Sequence, residues 1–199
     1  MADAKVFLVH GWDGSPANNW FPWLKRELEQ RGFLVSAPAM PHPQIPTIED
    51  WVSHLSATVG KPDENTYLIG HSMGCQAIAR YLERLPARAT VGGAVFVAGF
   101  LKRLTNIGDS PEEKAVEREW LQTPLDLKKV KNHLSQSVAI FSDDDPWVPL
   151  DNQNDFKDEL GSSIIIEHAK RHFSNEAGIK ELPAALDAVL TMTRDRSQD

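Results

Sequence analysis

Thr66-Tyr67-Leu68-Ile69-Gly70-His71-Ser72-Met73-Gly74-Cys75 is the stretch on which the fold of this chain turns. A short apolar run stops at Gly70, and a helical pattern of Ala77, Ile78, Tyr81, Leu82 and Leu85 begins directly behind Gly74. Strand, sharp turn and helix follow from that change of period. The spacing Gly-x-Ser-x-Gly inside such a turn is the nucleophile elbow, in which a strained turn pushes the serine oxygen into an open site and the glycines allow close backbone approach. By chance the three fixed positions would co-occur in roughly one chain of this composition in twenty, so the context carries the reading.

Outward from the elbow, strands and helices alternate. Val6-Phe7-Leu8-Val9-His10 reads as a first strand buried on both faces, and Phe33 to Ala37 as a second. Val91 to Gly99, Val138 to Phe141 and Ser163 to Glu167 supply the rest. Between them Asn19 is placed to cap a helix from about Trp20 to Arg31 with Leu24 and Leu28 inward, and Thr47 opens a helix carrying Trp51 and Leu55 that stops near Gly60. A helix over Asp151 to Leu160 and a terminal one from Leu182 to Met192 follow, and residues 194–199 read as a frayed tail. The expected fold is one α/β domain over 1–199, a six-stranded, mostly parallel sheet with helices on both faces. Residues 100–136, with helical patterns around Glu112–Trp120 and Leu125–Leu134, form either a small cap or a long crossover. The two glycines of Val91-Gly92-Gly93 are expected to let a helix pack closely.

Composition narrows the function. With 28 acidic and 21 basic residues the formal charge is −7, which does not suit a nucleic-acid partner. No apolar run is long enough for a membrane span, and Met1 to Val9 lacks the basic and apolar regions of a secretory signal. The single cysteine, Cys75, excludes an intramolecular disulfide and a cysteine-based zinc site, so a cytoplasmic enzyme without metal or cofactor is expected, with Cys75 as a packing residue.

A serine hydroxyl needs a base and the base an orienting carboxylate; on an elbow scaffold they follow the serine in the order acid, then histidine. His42, His54 and His133 lie away from suitable strand ends. His168 ends its strand, whereas His172 sits in the loop beyond, from which an imidazole can swing over Ser72; His172 is preferred. The acid comes from Asp143-Asp144-Asp145-Pro146. Asp145 is chosen because Pro146 restricts it to an extended backbone, leaving Asp143 and Asp144 as solvated turn residues or caps. In the loop after the first strand Trp12 is assigned one oxyanion-hole amide, and Met73, following the serine, supplies the other. His10, Gly11, Asp13, His71 and Trp147 are expected to line the substrate pocket. Trp12, Trp51, Trp120 and Trp147 are candidates to line an apolar acyl pocket, although core packing accounts for tryptophans more often.

His10-Gly11-Trp12, Gly70-His71-Ser72-Met73-Gly74, Asp143-Asp144-Asp145-Pro146-Trp147-Val148-Pro149 and His172-Phe173 together resemble the small α/β-hydrolase family of retinoblastoma-binding protein 9 and its bacterial YdeN-like members. The resemblance spans nearly the whole chain and implies a compact serine hydrolase, esterase or peptidase, with Ser72, Asp145 and His172 as its triad. The retinoblastoma-binding member carries Leu-x-Cys-x-Glu, but here Cys75 is followed by Gln76 and Ala77, so binding of the retinoblastoma protein is not expected. The leading reading is hydrolysis of an ester, thioester or amide of a small acyl substrate. The rival is a non-catalytic binding protein on the same fold; haloalkane or epoxide chemistry would need a carboxylate in place of Ser72.

Overall fold

The apolar runs become six parallel strands in a computed structural model that describes residues 4–195. They are β1 (Lys5–Val9), β2 (Leu34–Ser36), β3 (Thr66–His71), β4 (Gly93–Val97), β5 (Ser137–Ser142) and β6 (Ser163–Glu167), in the spatial order β2-β1-β3-β4-β5-β6. Every pairing is parallel, so the expected sheet is borne out without an antiparallel strand. Parallel neighbours require crossovers, and these carry α1 (Phe21–Glu29), α2 (Ile48–Val59), α3 (Met73–Glu83), α4 (Pro111–Gln122), α5 (Leu127–Asn132) and α6 (Asn152–Asp155), while α7 (Pro183–Asp195) follows the last strand.

Successive strand residues enter opposite cores. Phe7, Val9, Leu68, Ala94 and Phe96 pack with residues of α2 to α5 and with Phe156 and Leu160, while Val6, Leu8, Tyr67, Ile69, Val95 and Val97 pack under α1 and α7. Burial on both faces is why these strands read as unbroken apolar runs. Leu24 and Leu28 of α1 are buried as expected, each contributing roughly 2 kcal/mol by area. Gly93 gives α7 its close approach: a Cβ there would stand 2.5 Å from Met192 Sδ. Gly92 instead faces Glu64 O and the Tyr67 ring.

Local details differ from the sequence reading where tertiary partners take over. Thr47 caps α2 as expected, its hydroxyl accepting from Asp50 N–H at 3.2 Å. Asn19 does not cap α1; Trp20 holds that position without a side-chain bond. The Asn19 Oδ1 is taken by the Asn175 N–H at 2.9 Å, a residue 156 positions away that no local pattern announces. The Asp151–Leu160 helix is a single α turn, α6, that widens into a π-helical turn over Phe156–Leu160 and closes at Gly161 with φ 74°. The terminal helix runs beyond Met192 to Asp195, so Arg194 and Asp195 are helical, and residues 196–199 of the expected tail lie outside the described residues.

The long connection after β4 is tied to the elbow helix. Arg80, buried in α3, donates to the carbonyls of Trp120 (3.0 Å), Thr123 (2.9 Å) and Pro124 (3.3 Å) at the end of α4. A cation at a helix C-terminus answers its unsatisfied carbonyls. Gln76 orients the guanidinium at 3.0 Å and donates to Leu101 O at 3.1 Å. Trp120 completes the join, its indole N–H reaching Pro46 O at 3.0 Å and its ring meeting Trp51 edge-on.

Candidate active site

Ser72 follows the last residue of β3 and caps α3 with φ 52° and ψ −120°, a conformation that costs a non-glycine residue about 1–3 kcal/mol. Its neighbours hold it there. Ser72 N–H donates to Val97 O at 2.9 Å, and a Cβ on Gly74 would lie 2.2 Å from Val9 O, so only glycine lets α3 start against β1. Beside it Gly11 brings the loop after β1 so close that its Cβ would meet Ser72 Cβ at 3.1 Å.

A cleft of about 540 Å³ opens at the carboxyl ends of the strands, where open parallel sheets bind ligands. Ser72 and His172 both line it, together with Trp12 and Met73. His10, Gly11, Asp13, His71 and Trp147, expected as pocket residues, line it too. Asp145 stands behind His172, its side chain 2% exposed. One of its oxygens accepts the Trp147 and Val148 amides at 2.9 and 3.0 Å; the other faces His172 Nδ1 at 2.8 Å. An ionised carboxylate only accepts, so the proton sits on Nδ1 and Nε2 is left as the basic nitrogen. Trp147 meets the His172 ring edge-on at 4.9 Å. The Trp12 and Met73 amides have no hydrogen-bond partner among the described residues.

The other two carboxylates lie in an exposed turn, as the sequence suggested, and their oxygens have partners in a distant loop as well. Asp143 accepts the Ala169 N–H at 2.9 Å and bonds the exposed His168 ring; Asp144 accepts the Ser142 hydroxyl and the Arg171 N–H, both at 2.7 Å. All three acids therefore reach the loop after β6. These bonds hold the carboxyls of Asp143 (Ala169 N–H foremost) and Asp144 (Ser142 hydroxyl foremost) below the ordinary range, and Asp143 raises His168. His168 is not among the residues that line the cleft.

Two further histidines are held neutral. His10 Nδ1–H donates to Gly11 O at 2.8 Å while Nε2 accepts from Met40 N–H at 2.9 Å, and burial lowers its pKa. His71 Nε2–H donates to His172 O at 2.8 Å; burial, then the nearby His172 ring, holds its pKa down to about 3. The sign is that of a base whose charged form is disfavoured by folding. The unfolded chain takes up a proton near pH 6.5 that the folded chain refuses until about 3, so stability drops as pH falls through that window. Urea midpoints at pH 7 and pH 5 should show this fall, and His71→Gln, neutral throughout, should flatten it; an unchanged slope would contradict the assignment. Cys75 is fully buried and its thiol is pushed up by desolvation, consistent with packing.

Residues 6–191 match the serine hydrolase family. The chain belongs to the serine hydrolase family. Hydrolase YdeN of Bacillus subtilis is 34% identical over 93% of this chain and 94% of its own; its crystal structure superposes with a TM-score of 0.88 over 96% of this chain and 98% of its own. Serine hydrolase RBBP9 of Rattus norvegicus is 26% identical over 94% of this chain and 96% of its own. Est1E from Butyrivibrio proteoclasticus shares the fold, with a TM-score of 0.73 at 14% identity over 96% of this chain and 89% of its own. This serine hydrolase is thus an α/β hydrolase in fold, and no helix among its described residues is long and apolar enough to cross a membrane.

Sequence patterns missed one whole wall of the cleft, made by Phe100, Leu104, Asn106, Ile107, Gly108 and Glu113, and the rim at Gln44, Asn18 and Glu176. Apart from Glu113, in the first turn of α4, these residues lie in irregular chain, where no periodicity marks an inward face.

Proposed function

We propose that this hydrolase cleaves the ester, thioester or amide bond of a small acyl substrate through an acyl-enzyme on Ser72. The observation that carries the reading is the His172–Asp145 pair at 2.8 Å, its basic nitrogen left free in the cleft that holds Ser72. Ser72 Oγ attacks the carbonyl carbon as its proton passes to His172 Nε2; the imidazolium then protonates the leaving alcohol, thiol or amine. Water, deprotonated by the same nitrogen, releases the acid and restores the serine. The Trp12 and Met73 amides would receive the oxyanion, and the loss of one such donor costs about 3–4 kcal/mol in well-studied enzymes. Asp145 remains ionised throughout and orients the base. The chemistry needs no cofactor, and a lone buried thiol suits a cytoplasmic setting.

The substrate is small because the cleft, at about 540 Å³, lies in the range of small-molecule sites. Its apolar side, Met73, Phe100, Leu104, Ile107 and Trp147, suits an acyl chain. Residues 100–136 act as a minimal cap: their first part walls the cleft while α4 is anchored by Arg80. A wall fixed in this way needs no interface to open it. Turnover of p-nitrophenyl esters from acetate to decanoate, together with labelling by a serine-directed fluorophosphonate, tests the reading. Short soluble esters should be hydrolysed without a rate jump above the micellar threshold of the longer ones. Such a jump would make the segment a lid, and neither turnover nor labelling would favour a non-catalytic binding protein.

A further inference from the structure

The loop that carries His172 is in an unfavourable backbone conformation. Ala169, Arg171 and Phe173, none of them glycine, have φ of 53°, 48° and 53°. Left-handed residues at alternate positions persist only where surrounding contacts over-determine them. Those contacts come from two elements. Lys170 N–H donates to Ser142 Oγ at 2.9 Å, that hydroxyl donates to Asp144 Oδ1 at 2.7 Å, and the same oxygen accepts Arg171 N–H at 2.7 Å. On the far side His71, from β3, donates to the carbonyl of His172 at 2.8 Å. The backbone of His172 is therefore gripped before and after its Cα, by a side chain from the end of β5 and by one from the residue preceding Ser72.

We propose that Asp144 and His71 are positioning residues for His172, setting the backbone from which its imidazole reaches Ser72. The proposal rests on the reading of His172 as the base. Asp145 fixes the rotation of the ring only after the Cα is in place, and it contacts neither peptide group of the grip. His71 serves both partners at once. Its own backbone ends β3 in register with Val97, and Ser72 follows directly, so its ring ties the base to the turn that carries the hydroxyl. A neutral imidazole is needed for this, because its second nitrogen has no acid to neutralise a charge, and His71 stays neutral through burial.

The test compares, at each position, a variant that keeps the bonding atom with one that removes it. Asp144→Asn keeps an oxygen that accepts from Ser142 and Arg171, and Asp144→Ala removes it; His71→Gln keeps a donor near the position of Nε2, and His71→Met removes it. With p-nitrophenyl butyrate, Asp144→Ala should lose kcat by about 10- to 100-fold, the scale of a misplaced catalytic group, with KM within about twofold. Asp144→Asn should recover most of that loss, and the His71 pair should behave alike. A purely structural role would lower the thermal midpoint without this split between kcat and KM or the rescue. Wild-type kcat in Asp144→Ala, or equal losses in folded Ala and Asn variants, would overturn the clamp; if Asp144→Ala does not fold, the His71 pair decides by the same criterion. Ser72→Ala runs beside them. Its full activity would overturn the underlying reading, whereas an inactive Ser72→Ala with a fully active Asp144→Ala would overturn the clamp alone.

Discussion

Ser72→Ala should abolish fluorophosphonate labelling and lower kcat on short esters by about 10³- to 10⁶-fold, the range seen when a serine nucleophile is removed. The fold should survive the change. The Ser72 hydroxyl has no hydrogen-bond partner among the described residues, so its loss leaves no buried group unsatisfied. Alanine also bears the same φ of 52° no worse than serine does. A thermal midpoint within a few degrees of wild type, with labelling gone, is the expected pair of results. Equal labelling of both proteins would remove Ser72 as the nucleophile and return the molecule to the binding-protein reading.

Asp145→Asn should cost about 10⁴-fold in kcat, as in the serine-protease precedent where the histidine tautomer is reversed. The geometry explains why an amide is a poor substitute. One oxygen of Asp145 accepts two amides, Trp147 N–H and Val148 N–H, so the carbonyl of an asparagine must take that place. Its NH₂ group is then forced onto His172 Nδ1, where it can only donate. The ring proton moves to Nε2, and the base is lost. Asp143→Asn and Asp144→Asn should cost far less, because the oxygens that receive Ala169 N–H and Arg171 N–H survive as amide carbonyls. Comparable kcat losses in Asp144→Asn and Asp145→Asn, both folded, would show that the acid has been misassigned.

What could be read beforehand was whatever the chain writes locally. The runs of β1, β3, β4 and β5 read as strands because a central parallel strand is buried on both faces, which the edge strands β2 and β6 are not, and Gly70 to Gly74 wrote the turn in its own residues. The choice of Asp145 over its neighbours rested on Pro146, and that of His172 over His168 on position in a loop; the coordinates pair Asp145 with His172 and His168 with Asp143. The failures have one cause. Asn19 looked like a cap and instead binds a backbone amide of residue 175; Asp143 and Asp144 are the exposed turn acids they looked like, but they also hold another loop that the sequence did not announce. A polar side chain's partner is chosen by topology, and the residue itself gives no sign of which distant peptide will be brought to it. Residues 100–136 read as a small cap or a crossover, but the individual wall residues of Leu104–Glu113 lie mostly in irregular chain, where no periodicity marks an inward face.

The strand order β2-β1-β3-β4-β5-β6 also governs when activity arises during synthesis. Ser72 leaves the ribosome first, on a hairpin-free crossover unit whose contacts are near in sequence. Its proposed base follows 100 residues later, in the loop after the outermost strand, and the His71–His172 bond spans 101 positions. Closing so long a loop is deferred until the intervening strands β4 and β5 have been laid down, since β6 pairs only with β5. An unfinished chain would therefore display its serine with no imidazole to arm it, and hydrolysis would begin only when the last strand docks.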